Sequence, residues 1–305
     1  MFLIEDPFKD LLIKMNQLKN NQNQLNKVEI PSFSRIVWRE NCRDNSDLFY
    51  RWAEEFNRAE LMTVVNKVRD CGIFLVEDIK YQEECFNFNK MGLIFLPIQK
   101  IEKDNSLVQP IFSSEKSRFI QCAVSYSEEK AQELVGCLRS GGANSVSKIG
   151  KLLGYPSCCI KSLLKYSKEK DAIDSIFTAA KKTKGVKISK EKVADGKGFP
   201  KKVSAETLSV NILPEINVAL RNFGVKTISH IPCSFDCKES QKISKKFLQF
   251  MPSSSSLLKF LAEPMIWDEY KGMAIINTKW LRGATQSIFH DDKIHHIINL
   301  NKRKV

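Results

Sequence analysis

Four of the nine cysteines stand in two tight groups. One is Cys158-Cys159, at the end of Gly154-Tyr155-Pro156-Ser157-Cys158-Cys159. The other is Cys233 with Cys237, in His230-Ile231-Pro232-Cys233-Ser234-Phe235-Asp236-Cys237. Each group follows a proline and opens a helical pattern. At a helix start the unpaired backbone N–H groups and the positive end of the helix dipole favour thiolate over thiol. The thiolate is the form that binds a metal or attacks an electrophile. Cys233 and Cys237 are four apart, so a helix beginning near Ser234 places both on one face, a spacing compatible with a shared metal. The adjacent pair is less simple, because neighbouring side chains diverge and a single tetrahedral zinc strains the backbone between them. A cluster with several irons relaxes that demand. Cys158, Cys159, Cys233 and Cys237 are therefore candidate metal ligands. They suit an iron–sulfur cluster held by four thiolates, or zinc held by three with His230 or water completing the shell. Cys233 and His230 are the candidate catalytic residues. The chemistry open to them is redox exchange within or between the pairs, or attack by Cys233 on a carbonyl or thioester, with His230 as orienter, ligand or proton carrier. The plain alternative is that these are small buried residues at helix starts.

Other candidates are weaker. Cys42, Cys71, Cys85, Cys122 and Cys137 are isolated within apolar patterns and read as packing. His290, Asp291, Asp292, His295 and His296 are metal-capable, but His290 and His295 would be five apart on a helix. Ile294, Ile297, Ile298 and Leu300 account for the segment as an exposed amphipathic tail that packs. Trp267, Tyr270 and Trp280 read as core in preference to a stacking platform. No phosphate loop follows Gly141-Gly142, and no dinucleotide fingerprint or serine nucleophile elbow is present.

At the two cysteine motifs the chain resembles a poorly characterised family of bacterial and archaeal proteins, known mainly as a domain of unknown function. Its members combine a Gly-Tyr-Pro-x-Cys-Cys segment with a downstream His-x-Pro-Cys segment. The matching residues are Gly154, Tyr155, Pro156, Cys158, Cys159, His230, Pro232, Cys233 and Cys237, and the resemblance covers roughly residues 145 to 245. It implies that both cysteine groups belong to one domain. It carries no reaction with it.

The elements that must position these residues can be read from periodicity and caps. Apolar residues from 8 to 18 keep helical spacing and run into a polar stretch, and helical spacing returns from Asp47 to Arg69. Ile73 to Val76 and Leu93 to Pro97 suit buried strands. Ser125 and Glu128 have capping-box spacing ahead of a helix over Ser127 to Arg139. Ser145 to Leu153 and Ser157 to Tyr166 read as two short helices separated by Gly154-Tyr155-Pro156. Residues 181 to 202, rich in lysine and glycine, read as a surface insertion or mobile loop. Beyond them the pattern predicts a strand over Thr207 to Leu213, a helix over Pro214 to Phe223, a strand over Val225 to Ile231 and another over Met273 to Trp280. The expectation is an α/β or α+β fold, a mixed sheet with flanking helices, in which two cysteine-bearing helix starts converge on one site. Two regions are expected: residues 1 to 120, helix-rich, and residues 121 to 305, carrying the cysteine motifs and the 181 to 202 insertion.

Composition bounds the function. With 305 residues, 43% hydrophobic and 27% charged, the chain has material for a real core. No apolar run approaches the ~18 to 20 residues of a membrane span, and Glu5 and Asp6 stand where a secretory signal is basic. A cytoplasmic protein with reduced thiols is expected. The net charge of +13 belongs to one half: residues 1 to 150 carry 20 basic and 21 acidic side chains, residues 151 to 305 carry 28 and 14. Residues 151 to 202 alone hold 14 lysines against five acids. That field suits an anionic partner, and nucleic acid is a candidate there, although arginine and aromatics are sparse and a solvated surface is the plainer reading. The leading expectation is an enzyme that uses a thiolate-bound metal or iron–sulfur site on an anionic or thiol-bearing substrate. Its rivals are a basic nucleic-acid-binding protein with a structural cysteine/zinc site, and a metal-free cysteine-dependent catalyst.

Overall fold

The structure, a computed structural model, describes residues 27–30, 37–38, 46–104, 116–166, 175–194, 202–221, 224–268, 273–276, 279–282 and 294–302. Two mixed sheets organise it. The smaller is built from β1 (Lys27–Ile30), β3 (Cys71–Glu77), β4 (Ile94–Asp104) and β5 (Lys116–Ser125), in the order β1-β4-β5-β3. Only the β1–β4 pairing in it is parallel. The larger joins β2 (Val37–Trp38), β6 (Lys187–Ala194), β7 (Lys202–Ile212), β8 (Met265–Asp268), β9 (Met273–Ile276), β10 (Lys279–Arg282) and β11 (Ile294–Lys302). Its order is β2-β10-β9-β8-β11-β7-β6, and β11 runs parallel to β7.

Alternation along β5 explains the first sheet's position. Ile120, Cys122 and Val124 face one side and pack with Tyr81, Cys85 and Phe88 of α2 (Tyr81–Lys90). Ala123 faces the other, beneath Leu134 and Val135 of α3 (Glu128–Ser140) and Leu152 of α4 (Ala143–Leu152). The expected boundary between residues 120 and 121 falls inside β5. Helix α1 (Ser46–Val65) spans both layers. Its Phe49, Trp52 and Phe56 enter the core of the larger sheet with Leu208, Val210, Ile298 and Leu300, while Val64 sits in the core of the smaller one. Cys71, Cys85, Cys122 and Cys137 are buried apolar packing, as expected; Cys42 lies outside the described residues. Trp267 is fully buried in the larger core. Among the described residues no helix is long and apolar enough to cross a membrane.

Several expectations are corrected. Lys187–Ala194, read within a loop, is the edge strand β6 paired antiparallel to β7, and its exposed lysines suit an edge that must not pair with another chain. The helix expected over Pro214 to Phe223 is only a 3-10 turn, Pro214–Ile216. There the Asn217 amide donates to Leu261 O and accepts from the Ala219 N–H, taking the chain out of helical pairing. Val225 to Ile231 is no strand: adjacent Thr227 and Ile228 are both buried, so the segment lacks the two-residue alternation of a half-buried strand. The N-cap of α3 is Ser127, whose hydroxyl accepts the Lys130 N–H, while Ser125 donates to Asp70 O. The segment beginning at Ile294 is strand β11, with Ile298 and Leu300 buried, instead of an exposed tail. Met273 to Trp280 divides into β9 and the start of β10. Residues 8 to 18, Tyr270, His290, Asp291 and Asp292 lie outside the described residues.

Candidate metal centre

The first cysteine group is carried by a helix–turn–helix. α4 ends at Leu152, and the Tyr155 N–H returns to Gly150 O, closing the turn with Gly154 at φ 71°. Pro156 then starts α5 (Ser157–Tyr166), and its carbonyl accepts the N–H groups of Cys159 and Ile160. This helix has the expected bounds. Gly150 lets α4 and α5 close on each other, since a Cβ there would lie 2.8 Å from Ile160.

The second group lies on a loop instead of a helix start near Ser234. α7 (Lys238–Leu248) begins later, with Cys237 as its N-cap. Cys233 stands upstream, in a bend anchored by fully buried Phe235, whose N–H donates to the Thr183 hydroxyl at 2.8 Å. Thr183 follows α6 (Ser175–Lys181), whose Phe177 is part of the larger core. The loop is thus fixed from both ends.

These elements bring the two groups together. The Sγ atoms of Cys158 and Cys159 are 3.9 Å apart, those of Cys158 and Cys237 3.7 Å, and those of Cys159 and Cys237 3.8 Å. With Cys233 included, all four lie within 4.8 Å of one another, a set able to hold a metal ion. Cys159 and Cys237 are buried and the other two half-buried. The Cys159 sulfur also receives the Cys233 N–H at 3.3 Å and lies 3.3 Å from the Ser240 hydroxyl. His230 is not among the converging ligand atoms. Its Nε2 is 2.8 Å from Ser240 Oγ, so it reaches the sulfurs through that hydroxyl.

Crowding of the sulfurs has an electrostatic consequence. Cys237 is held down to about 4, first by the hydrogen bond from Cys159 and then, against burial, by the hydroxyl and backbone N–H of Ser240. Cys159 is pushed up, first by its pairing with Cys237 and then by burial. Burial and the neighbouring sulfurs push Cys233 up to about 12. Without a cation Cys237 is the favoured thiolate while Cys159 and Cys233 hold their protons, and a bound metal ion removes that restriction. His230 is pushed down to about 4, mainly by burial and secondarily by Arg221, and is neutral at neutral pH. Its ring lies 5.0 Å from that of Tyr155.

Ser240 is the residue that reading the sequence missed. Its signal is the position three residues after an N-cap, where a side chain faces back to the cap.

Residues 143–259 match a family model described as "Protein of unknown function (DUF483)". The match holds both cysteine groups and His230, in agreement with the resemblance seen in the motifs. No curated protein and no solved structure matches the chain.

Proposed function

We propose that Cys158, Cys159, Cys233 and Cys237 bind one tetrahedral metal ion, zinc, as four thiolates, and that this closed centre clamps the His230 loop onto α4 and α5. The observation that carries the reading is the sulfur spacing, 3.7 to 3.9 Å among Cys158, Cys159 and Cys237, with Cys233 within 4.8 Å of each. Zinc–sulfur bonds of about 2.3 Å in a regular tetrahedron put the sulfurs about 3.8 Å apart. A cluster that seats each thiolate on a different iron spreads them farther and needs space between them for its core. Four thiolates also fill the tetrahedron, the pattern of a structural site, whereas a catalytic zinc keeps a position open. The adjacent cysteines are accommodated because the start of α5 presents both sulfurs to the same point.

On this reading Cys233 is a ligand and not a free nucleophile, which suits a thiol pushed up instead of down. Any transformation of an anionic substrate then belongs to groups beside the centre, and the metal acts by holding them in place.

The test is purification of the full chain without oxygen, followed by elemental analysis and an absorption spectrum. One zinc per chain, colourless, lost together in a Cys158→Ser/Cys159→Ser double variant, is the expected result. Replacement by cobalt should give the intense visible bands of a tetrahedral thiolate site. Stoichiometric iron with broad visible absorption, or no metal in protein that retains its fold, overturns the reading.

A further inference from the structure

A cavity of about 210 Å³ lies next to the cysteine centre, and none of the four cysteines lines it. Its polar wall comes from distant parts of the chain: Arg69, Tyr155, Ser229, His230 and Lys246, with Phe247 on the apolar side. At about 30 Å³ per water in the liquid, this is space for roughly seven waters or one small molecule.

Two of the lining residues carry buried polar atoms that lack a partner. Arg69 Nε and His230 Nδ1 have no hydrogen bond, and both residues are at least nine-tenths buried. Buried polar groups are almost always satisfied, so two enclosed orphans on residues that line one cavity point to a partner that enters from it. Both terminal nitrogens of the guanidinium already have a partner: Nη2 donates to Glu60 O at 2.7 Å, and Nη1 lies 3.5 Å from Glu60 Oε1. That carboxylate oxygen also accepts the Ser229 hydroxyl. Arg69 is therefore held in place with Nε left over. No acidic side chain lines the cavity, while Lys246 adds a second cation. A lining with two cations and no acid favours an anionic ligand.

The other orphan adds a feature to that anion. A metal-bound Cys159 sulfur can only accept, so the Ser240 hydroxyl donates to it and itself accepts from His230 Nε2–H. Neutral His230 then presents Nδ1 as a bare acceptor. We propose that the cavity binds a small carboxylate or phosphate monoester bearing a neighbouring hydroxyl, with Arg69 Nε and Lys246 on the anionic oxygens and His230 Nδ1 accepting from the hydroxyl. The hydroxyl preference rests on the proposed metal centre; binding of the anion does not.

The experiment is a thermal-shift titration of the full chain, of measured metal content, with acetate, glycolate, inorganic phosphate and glycerol phosphate. Glycolate and acetate differ only in the hydroxyl, and the carboxylates and phosphates separate the two anion types. The expected result is saturable stabilisation by a hydroxylated probe, about tenfold tighter than by its plain counterpart. Lys246 is on the exposed side of α7, so Lys246→Glu keeps the fold and should weaken the affinity about 10- to 100-fold. No saturation by any probe up to about 20 mM overturns the site. So does binding that Lys246→Glu leaves unchanged. Equal affinity for glycolate and acetate overturns the role of Nδ1. Zinc-free protein that binds anions with the Lys246 dependence keeps the cavity and removes the metal centre, and zinc-loaded protein that binds none does the reverse.

Discussion

His230 faces two environments at once, the Ser240 hydroxyl on the sulfur side and the cavity on the other. Its burial sets a pH dependence whose sign can be worked out. In the unfolded chain the imidazole takes a proton near 6.5, whereas in the fold it resists until about 4. Between these values the unfolded state binds more protons, so stability present above about pH 6.5 is lost as pH falls towards 4. At about 1.4 kcal/mol per unit the loss approaches about 3 kcal/mol at most. Urea unfolding at pH 7 and pH 5 checks it: a His230→Gln variant should lose less stability over that interval than the parent. The cysteine cluster is common to both proteins, so the difference isolates the histidine, and parallel losses would exclude the effect. In the sequence His230 is visible only as a neighbour of a proline and a cysteine. Its partners Ser240 and Tyr155 become apparent once the loop is placed.

The turn between α4 and α5 shows how one short motif serves two ends. Pro156 and the residues after it deliver two sulfurs to the centre, while Gly154 and Tyr155 line the cavity. Gly154 has φ 71°, and a Cβ there would stand 2.8 Å from Arg69 Cβ. Gly154→Ala should therefore cost about 1 to 2 kcal/mol of backbone strain plus the displacement of Arg69, about 2 to 3 kcal/mol together. Gly185 provides the control, since it has φ 78° but nothing within 4 Å of the added Cβ. Gly185→Ala should cost only the backbone part, and equal losses in chemical denaturation would remove the packing role of Gly154. Elements with their own punctuation were legible in this way: α5 between Pro156 and Tyr166, and the extent of α3, although its cap is Ser127 in place of Ser125. The segment after Pro214 was not, because the Asn217 side chain bonds to Leu261, a partner no local pattern reveals.

Across the whole molecule, the cysteine cluster and the core of the smaller sheet are separate in space. The core formed by Tyr81, Phe88, Phe95 and Ile120 includes none of the four clustered cysteines. The His230 loop, by contrast, has its tie to α5 through sulfur. Chelation under reducing conditions should accordingly raise amide hydrogen exchange across residues 157–166 and 224–237 while β3, β4 and β5 stay protected. Uniform loss of protection would make the centre a condition of the entire fold, and no change would deny it a clamping role.

The sequence by itself determined the chemistry available and much of the local structure. It contains two proline-led cysteine groups, a helix over residues 157–166, an excess of lysine in the later half and isolated cysteines fit for a core. These are decided within a few residues, by caps, periodicity and residue type. The tertiary structure alone decided that the strands divide into two sheets, that four sulfurs gather within 4.8 Å, and that Arg69 meets the Gly154 turn beside His230. The sulfur contact between Cys158 and Cys237 joins residues 79 positions apart. Such a contact follows from how α1, the two sheets and the Phe235 anchor pack together, and packing is a property of the whole chain.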